Sequence, residues 1–162
     1  MSKPFVILCK RKIAKPAAGE LDMSKGDNND GLLRQVEVTI ADYAMLEQGA
    51  SVLVAVSGGL DSMALFYVLK TLGYDVEVAH FDHQTRQGQS AEDAEFVRRV
   101  CVEAGVAYHF GTEPIAENAR RLGVSFEAYA RERRYDFLTR TARERGSAAV
   151  ATGHQQDDQV ET

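Results

Sequence analysis

From residue 32 onward, apolar positions along this 162-residue chain fall into alternating helical and strand patterns. Leu32, Leu33, Val36, Ile40, Tyr43 and Leu46 recur mostly at spacings of three and four, which predicts a helix closed by Gly49. VLVAV (52–56) is a continuous apolar run, as expected of a strand buried on both faces. Met63, Leu65, Phe66, Leu69 and Leu72 predict a helix over 62–72, ended by Gly73. VEVAHF (76–81) reads as the second strand. Phe96, Val97, Val100 and Cys101 predict a helix over 91–104, ended by Gly105, with Phe96 and Cys101 in the core. VAYHF (106–110) is the third strand. Ser125, Phe126 and Glu127 form a helix-start signal, and the helix runs to about Glu144 before Gly146. AAVATG (148–153) is the fourth strand.

Alternating strands and helices predict an α/β fold, a doubly wound parallel sheet with helices on both faces. In such sheets ligands bind beyond the carboxyl ends of the strands. SGGLDS follows the first strand, HFDHQTR the second and GHQQDDQ the fourth, so the polar residues gather at one edge of the sheet. Residues 1–31 read as a flexible N-terminal tail, with GDNNDG near its end and basic residues (Lys3, Lys10, Arg11, Lys12, Lys15) at its start. Residues 32–162 read as one domain. It is expected to be incomplete at its C-terminal end, because Thr162 falls in or just before a helix that has barely begun.

Composition narrows the class. Apolar content of 44% and charged content of 27% are ordinary for globular proteins. A net charge of −5 argues against a wholesale nucleic-acid-binding surface but leaves room for a local basic patch. Such a patch exists: residues 120–145 hold eight arginines against four acids. Cys9 and Cys101 form no CxxC pair, which removes support for a disulfide framework, a zinc site of paired cysteines or an iron–sulfur cluster. The simplest expectation is a cytoplasmic protein. No apolar run approaches the roughly 20 residues that span a bilayer, so no membrane role is expected.

The loop after the first strand carries the clearest chemistry. Gly58 and Gly59 let backbone N–H groups approach a ligand closely. A helix starting near Asp61 adds an anion-attracting N-terminus, and Ser57 and Ser62 add hydroxyls. The pattern is a phosphate cradle. It is neither a Walker loop, which needs a lysine on the phosphates, nor the GxGxxG fingerprint. Asp61 would repel phosphates unless it caps the helix or a Mg2+ ion bridges the two.

SGGLDS after an apolar strand resembles the SGGxDS signature of the PP-loop ATP pyrophosphatase superfamily. Three further blocks resemble those of its lysidine synthetase family: HFDHQTR (80–86), SFEAYARERRYDFL (125–138) and GHQQDDQVET (153–162). The second block departs from the family, which usually has Asn, Gly and Leu at the positions of Asp82, Gln84 and Thr85. The resemblance covers nearly everything from Val52 to Thr162 and identifies no counterpart for residues 1–45.

The resemblance implies ATP and Mg2+ as cofactors, with tRNA(Ile) and L-lysine as substrates. ATP would adenylate the C2 carbonyl oxygen of the wobble cytidine, releasing pyrophosphate, and the lysine amine would displace AMP. Ser57, Gly58, Gly59, Leu60, Asp61 and Ser62 would then hold the pyrophosphate end of ATP, with Asp61 on the metal. Ala79, His80 and Phe81 would lie near the nucleoside, although His80 also reads as a satisfied strand-end histidine. His154, Asp158 and Glu161 share one helix face by spacing. The two carboxylates suit the amines of lysine, and His154 suits proton transfer or a phosphate. Asp157 caps that helix or shares the metal. Arg134 would stabilise charge on the transferring phosphoryl group, and Arg131 on the same face would contact substrate. A tRNA thiolase with the same ATP loop, and a nucleotide-binding fragment inactive on its own, are the alternatives. The thiolases usually carry CxxC pairs or a catalytic cysteine near the site, and this chain has neither.

Overall fold

The computed structural model describes residues 5–8, 28–84 and 89–153. In chain order the elements are β1 (Phe5–Leu8), α1 (Asn28–Asp42), β2 (Ser51–Ala55), α2 (Leu60–Thr71), β3 (Asp75–Asp82), α3 (Gln89–Ala104), β4 (Tyr108–Thr112), α4 (Ile115–Leu122), α5 (Phe126–Arg145) and β5 (Ala149–Thr152). The strands form one sheet in the order β1-β5-β2-β3-β4, and every pairing is parallel. Among the described residues no helix is long and apolar enough to cross a membrane.

Strand alternation divides the core in two. Val52, Val54, Val76 and Val78 face α2 and α3, where they meet Phe66, Leu69, Val97 and Cys101, with Ile40 of α1 added. Leu53, Ala79 and Val150 face the other way, onto Phe137, Leu138 and Ala142 of α5. Val52, Leu53 and Val54 have no exposed surface, which is why this strand reads as an unbroken apolar run. Burial pushes the Cys101 thiol up to about 11 and so keeps it inert.

The chain path fixes where a ligand can sit. From β2 it moves through α2, β3 and α3 to the edge strand β4, with both helices on one face. It returns through α4 and α5, with α5 covering the opposite face, and enters β5 on the far side of β2. The direction of travel reverses between β2 and β5. That switch point, at the carboxyl ends of the strands, is where doubly wound sheets bind ligands.

Three elements differ from the sequence expectation. Phe5–Leu8, read as part of a tail, forms a strand that pairs with Ala149–Thr152 of β5. The first helix stops at Asp42 instead of running on toward Gly49. Its end is closed by Met45 N–H on the Ile40 carbonyl (3.0 Å) and Ala44 N–H on the Ala41 carbonyl (3.0 Å), with Ala44 left-handed at φ 46°. Met45 and Leu46 still pack on the core, from a turn. Helix α4 was not expected: it has eight residues and buries Ile115 and Ala119, too short a stretch for a periodic signal. Ser125 caps α5 as predicted, accepting from the Ala128 N–H at 3.4 Å.

Gly111 of β4 lies against the α5 layer. A Cβ there would stand 2.8 Å from two ring carbons of Phe137 and 2.9 Å from one of Phe81. Both rings are packed against each other, with centroids 5.4 Å apart. Gly111→Ala is therefore expected to destabilise the fold by about 1–2 kcal/mol through overpacking. Urea unfolding at pH 7 measures this, and an unchanged midpoint would refute it.

Candidate functional site

The loop between β2 and α2 folds back on itself through its serines. The Ser57 N–H donates to Ser62 Oγ at 3.1 Å, and the Ser62 hydroxyl donates to the Gly59 carbonyl at 2.9 Å. The two hydroxyl oxygens lie 3.2 Å apart, and the Gly59 N–H reaches Ser57 Oγ at 3.4 Å. Ser62 is buried, so its hydroxyl works as an internal brace of the loop. Gly58 turns the chain at φ 93°, a region that L side chains rarely adopt.

Gly59 is the N-cap of α2, and no side chain caps that end. The first-turn amides therefore point out of the helix without intrahelical acceptors. Leu60 is 90% exposed, so what it offers a ligand is its backbone N–H. Asp61 lies in the first turn, where a carboxylate is favoured by the helix dipole. Ser57, Gly59, Leu60, Asp61, Ser62 and Gly153 line an open cavity of about 340 Å³.

A second cavity, of about 170 Å³, adjoins it beyond β2 and β3. Ala55, Val56, Ala79, Phe81 and Leu138 give it an apolar wall, and Ser57 belongs to both cavities. Its polar lining comes from His80, Asp82, His83, Asp93 and Arg134. His80 is buried, and its Nδ1 donates to the Val56 carbonyl at 2.8 Å. That bond extends the β2–β3 pairing past Ala55, together with the Val56 N–H on the Ala79 carbonyl at 2.9 Å. His83 stands one residue beyond β3. Burial, and then the charge of Arg134, push it below the ordinary imidazole range, with Asp82 pulling the other way.

The arginine-rich helix is less uniformly positive than its composition suggests. Arg133 pairs with Glu113 and Asp136, both at 2.8 Å. Arg145 pairs with Glu77 of β3 at 2.9 Å, and Glu77 also takes His109 at 2.6 Å. The guanidinium carbons of Arg131 and Arg134 each lie 5.5 Å from the Tyr135 ring centroid, so one ring serves two cations. Arg134 lines the smaller cavity; Arg131 does not.

Of the sequence-predicted residues, the structure gathers Ser57, Gly59, Leu60, Asp61 and Ser62 at the first cavity, with Gly58 in the loop's turn. It places Ala79, His80, Phe81 and Arg134 at the second. His154, Asp157, Asp158 and Glu161 lie outside the described residues. Among the described residues no group of three His, Cys, Asp or Glu could hold a metal ion.

Three positions escaped the sequence reading. Gly153 packs against the start of α2, where a Cβ would stand 3.2 Å from the Ser62 N and Cα. Asp93 of α3 comes within contact distance of a Cβ built on Gly58, at 3.5 Å. His83 lies inside the HFDHQTR segment, where its polarity at a strand end was the available signal.

Comparison with known proteins agrees with this geometry. The family described as PP-loop domain matches residues 32–162. The tRNA(Ile)-lysidine synthase of Thermotoga maritima is 42% identical over 122 residues, which are 73% of this chain and 29% of that protein. The Bacteroides thetaiotaomicron enzyme of the same name is 41% identical over 110 residues, 68% of this chain and 26% of that protein. That of Bacillus cereus is 35% identical over 137 residues, 82% of this chain and 29% of that protein. The chain spans less than a third of the length of the curated relatives it matches.

Proposed function

The chain belongs to the PP-loop domain family, and from that premise we propose that it is the ATP-handling part of a tRNA(Ile)-lysidine synthetase. The observation that carries this reading is the pair of cavities joined at Ser57, at the switch point of the sheet. One is built from a glycine turn and an uncapped helix N-terminus, which suits a polyphosphate. The other has an apolar wall and an arginine, which suits a nucleoside with its first phosphate.

In this reading Ser57, Gly58, Gly59, Leu60, Asp61 and Ser62 hold the pyrophosphate end of ATP. Ala79 and Phe81 pack against the nucleoside, and His80 keeps the strand ends together behind it. Arg134 stabilises the charge that develops as the wobble cytidine's C2 oxygen attacks the α-phosphate and pyrophosphate leaves. The lysine amine then attacks C2 and AMP departs with the oxygen. Asp158 and Glu161 bind the lysine, Arg131 contacts substrate, and His154 moves a proton or meets a phosphate. Mg2+ would sit on Asp61 and Asp157 and neutralise phosphate charge. A carboxylate at the rim of an anion cradle fits such an ion.

Incubation with tRNA(Ile), ATP–Mg and labelled lysine tests the reaction, followed by nucleoside analysis of the tRNA. Sulfur incorporation in place of lysine would replace this reading with a thiolase. ATP–Mg binding without either modification would leave this chain as a nucleotide-binding module. The arginines of α5 also predict salt-sensitive tRNA binding. Two phosphate contacts suffice for about a tenfold loss of affinity between 50 and 200 mM salt, and a flat salt response would exclude the patch.

A further inference from the structure

Helix α5 borders a third cavity, of about 660 Å³, that the ATP site does not use. It is a groove along the flank of α5 beside the edge strand β4, with Glu113 and Arg133 at one end and Arg143 and Glu144 at the other. Arg133 and Arg143 are ten residues apart, so the groove follows the helix for ~15 Å. Phe81 lines both this groove and the smaller cavity of the ATP site, so one residue borders both spaces. The groove's three arginines and three acids balance in number but are not mixed. Next to β4, Arg133 bridges Glu113 and Asp136 at 2.8 Å each, and these charges satisfy one another. At the far end Arg140 and Arg143 are three apart and so share a helix face. Both are exposed, and neither has a hydrogen-bond or ion-pair partner among the described residues. Glu144 is the acid beside them, so this end keeps a surplus of one positive charge.

We propose that this groove carries the single-stranded RNA beside the reacting nucleotide, with Arg140 and Arg143 on its phosphates. The inference rests on the tRNA reading above and gives that RNA a path. A base that reacts at ATP has to leave its stack, so its neighbours meet the protein as a single strand. Such a strand needs cations for its phosphates and aromatic faces for its bases. The groove supplies the first from Arg140 and Arg143 and the second from Phe81 and Tyr135, both only partly buried. Phe81 stands where the strand would pass into the ATP cavity.

The double variant Arg140→Gln, Arg143→Gln tests the groove, with Glu144→Gln as the arm of opposite sign. Binding of an RNA stem-loop carrying the tRNA(Ile) anticodon is read by fluorescence anisotropy over a salt series. Calorimetry with ATP–Mg and thermal unfolding accompany it. The double variant is expected to weaken RNA binding about tenfold and to lower the slope of log K against log salt by about 1.4, two phosphates at about 0.7 each. Glu144→Gln is expected to tighten RNA binding, because it removes the acid facing the same phosphates. ATP–Mg affinity is expected to stay at the parent's value in both, since none of the three residues lines the ATP cavities. A double variant with the parent's affinity and salt slope would overturn the inference, and so would a parent chain that binds no RNA. If the double variant does not fold, Arg143→Gln alone decides, with half the change in slope expected. The reaction is scored separately, on tRNA(Ile) with labelled lysine. Lysine incorporation with an unchanged slope would remove the groove and leave the proposed function. Sulfur incorporation with a lowered slope would remove that function and leave the groove.

Discussion

Gly153→Val is expected to abolish ATP–Mg binding, lowering affinity at least about a hundredfold, in a chain that still folds. Gly153 directly follows β5, on the far side of the switch point from the β2 loop. A Cβ there would stand 3.2 Å from the Ser62 N and Cα and 3.3 Å from the Asp61 carbonyl carbon. These are backbone atoms of the first turn of α2, so no side chain can swing aside to make room. Valine adds two methyl groups beyond that Cβ. The turn has to shift, and its amides are the groups proposed to hold the phosphates. Displacements of order 1 Å in such positioning groups cost about a hundredfold in function. Gly31→Ala is the control, since nothing lies within 4 Å of a Cβ there. Calorimetric titration with ATP–Mg reads both. A Gly153→Val chain that unfolds like the parent and binds within threefold of it would show that the cradle tolerates movement.

The same contact illustrates what a sequence conceals. The strands β2 and β3 were legible because burial on both faces demands unbroken apolar runs. The cradle was legible because two glycines and two hydroxyls after such a run have few other uses. The closeness of Gly153 to Ser62 is different: it arises from two strand ends meeting at the switch point, ninety-one residues apart in the chain, and no local pattern encodes it. Strand β1 was hidden for another reason. FVIL sits beside a basic stretch and far from the elements it joins, so its partner β5 cannot be inferred from its own neighbourhood. The histidines were half legible. Polarity at a strand end marked the HFDH segment, but only the geometry separates His80, tied to Val56, from His83, whose buried Nδ1 has no described partner. Which arginines of the patch are paired was hidden for a related reason. Two of its charges are taken by Glu77 and Glu113, acids that lie outside the patch in sequence.

Glu113→Ala is expected to destabilise the fold by about 2–3 kcal/mol at pH 7. The Glu113 carboxylate, just past β4, accepts from Asn118 of α4 at 2.9 Å, from the Tyr129 hydroxyl at 2.7 Å and from Arg133 at 2.8 Å. One acceptor thus ties the sheet edge to both α4 and α5. Its side chain is 17% exposed while that of Arg133 is 38% exposed, so solvent screens the ion pair. Most of the loss comes from three donors left without their shared acceptor. The pH dependence identifies the charge. Burial pushes the carboxyl up, but the hydrogen bonds from Arg133, Tyr129 and Asn118 outweigh it and hold the group below its ordinary 4.5. A depressed folded value means that the charged form stabilises the fold above the unfolded value, and that this stability is lost as pH falls through the folded one. The gap between the parent and Glu113→Gln should therefore be full at pH 7 and close as pH drops below about 4.5. Urea unfolding at several pH values reads it, and a gap independent of pH would assign the effect to packing alone. The functional consequence follows from the next position along the helix: Arg134 is carried by the turn that Glu113 anchors through Arg133. Loosening that turn should raise the ATP concentration needed for half-saturation even where the variant remains folded.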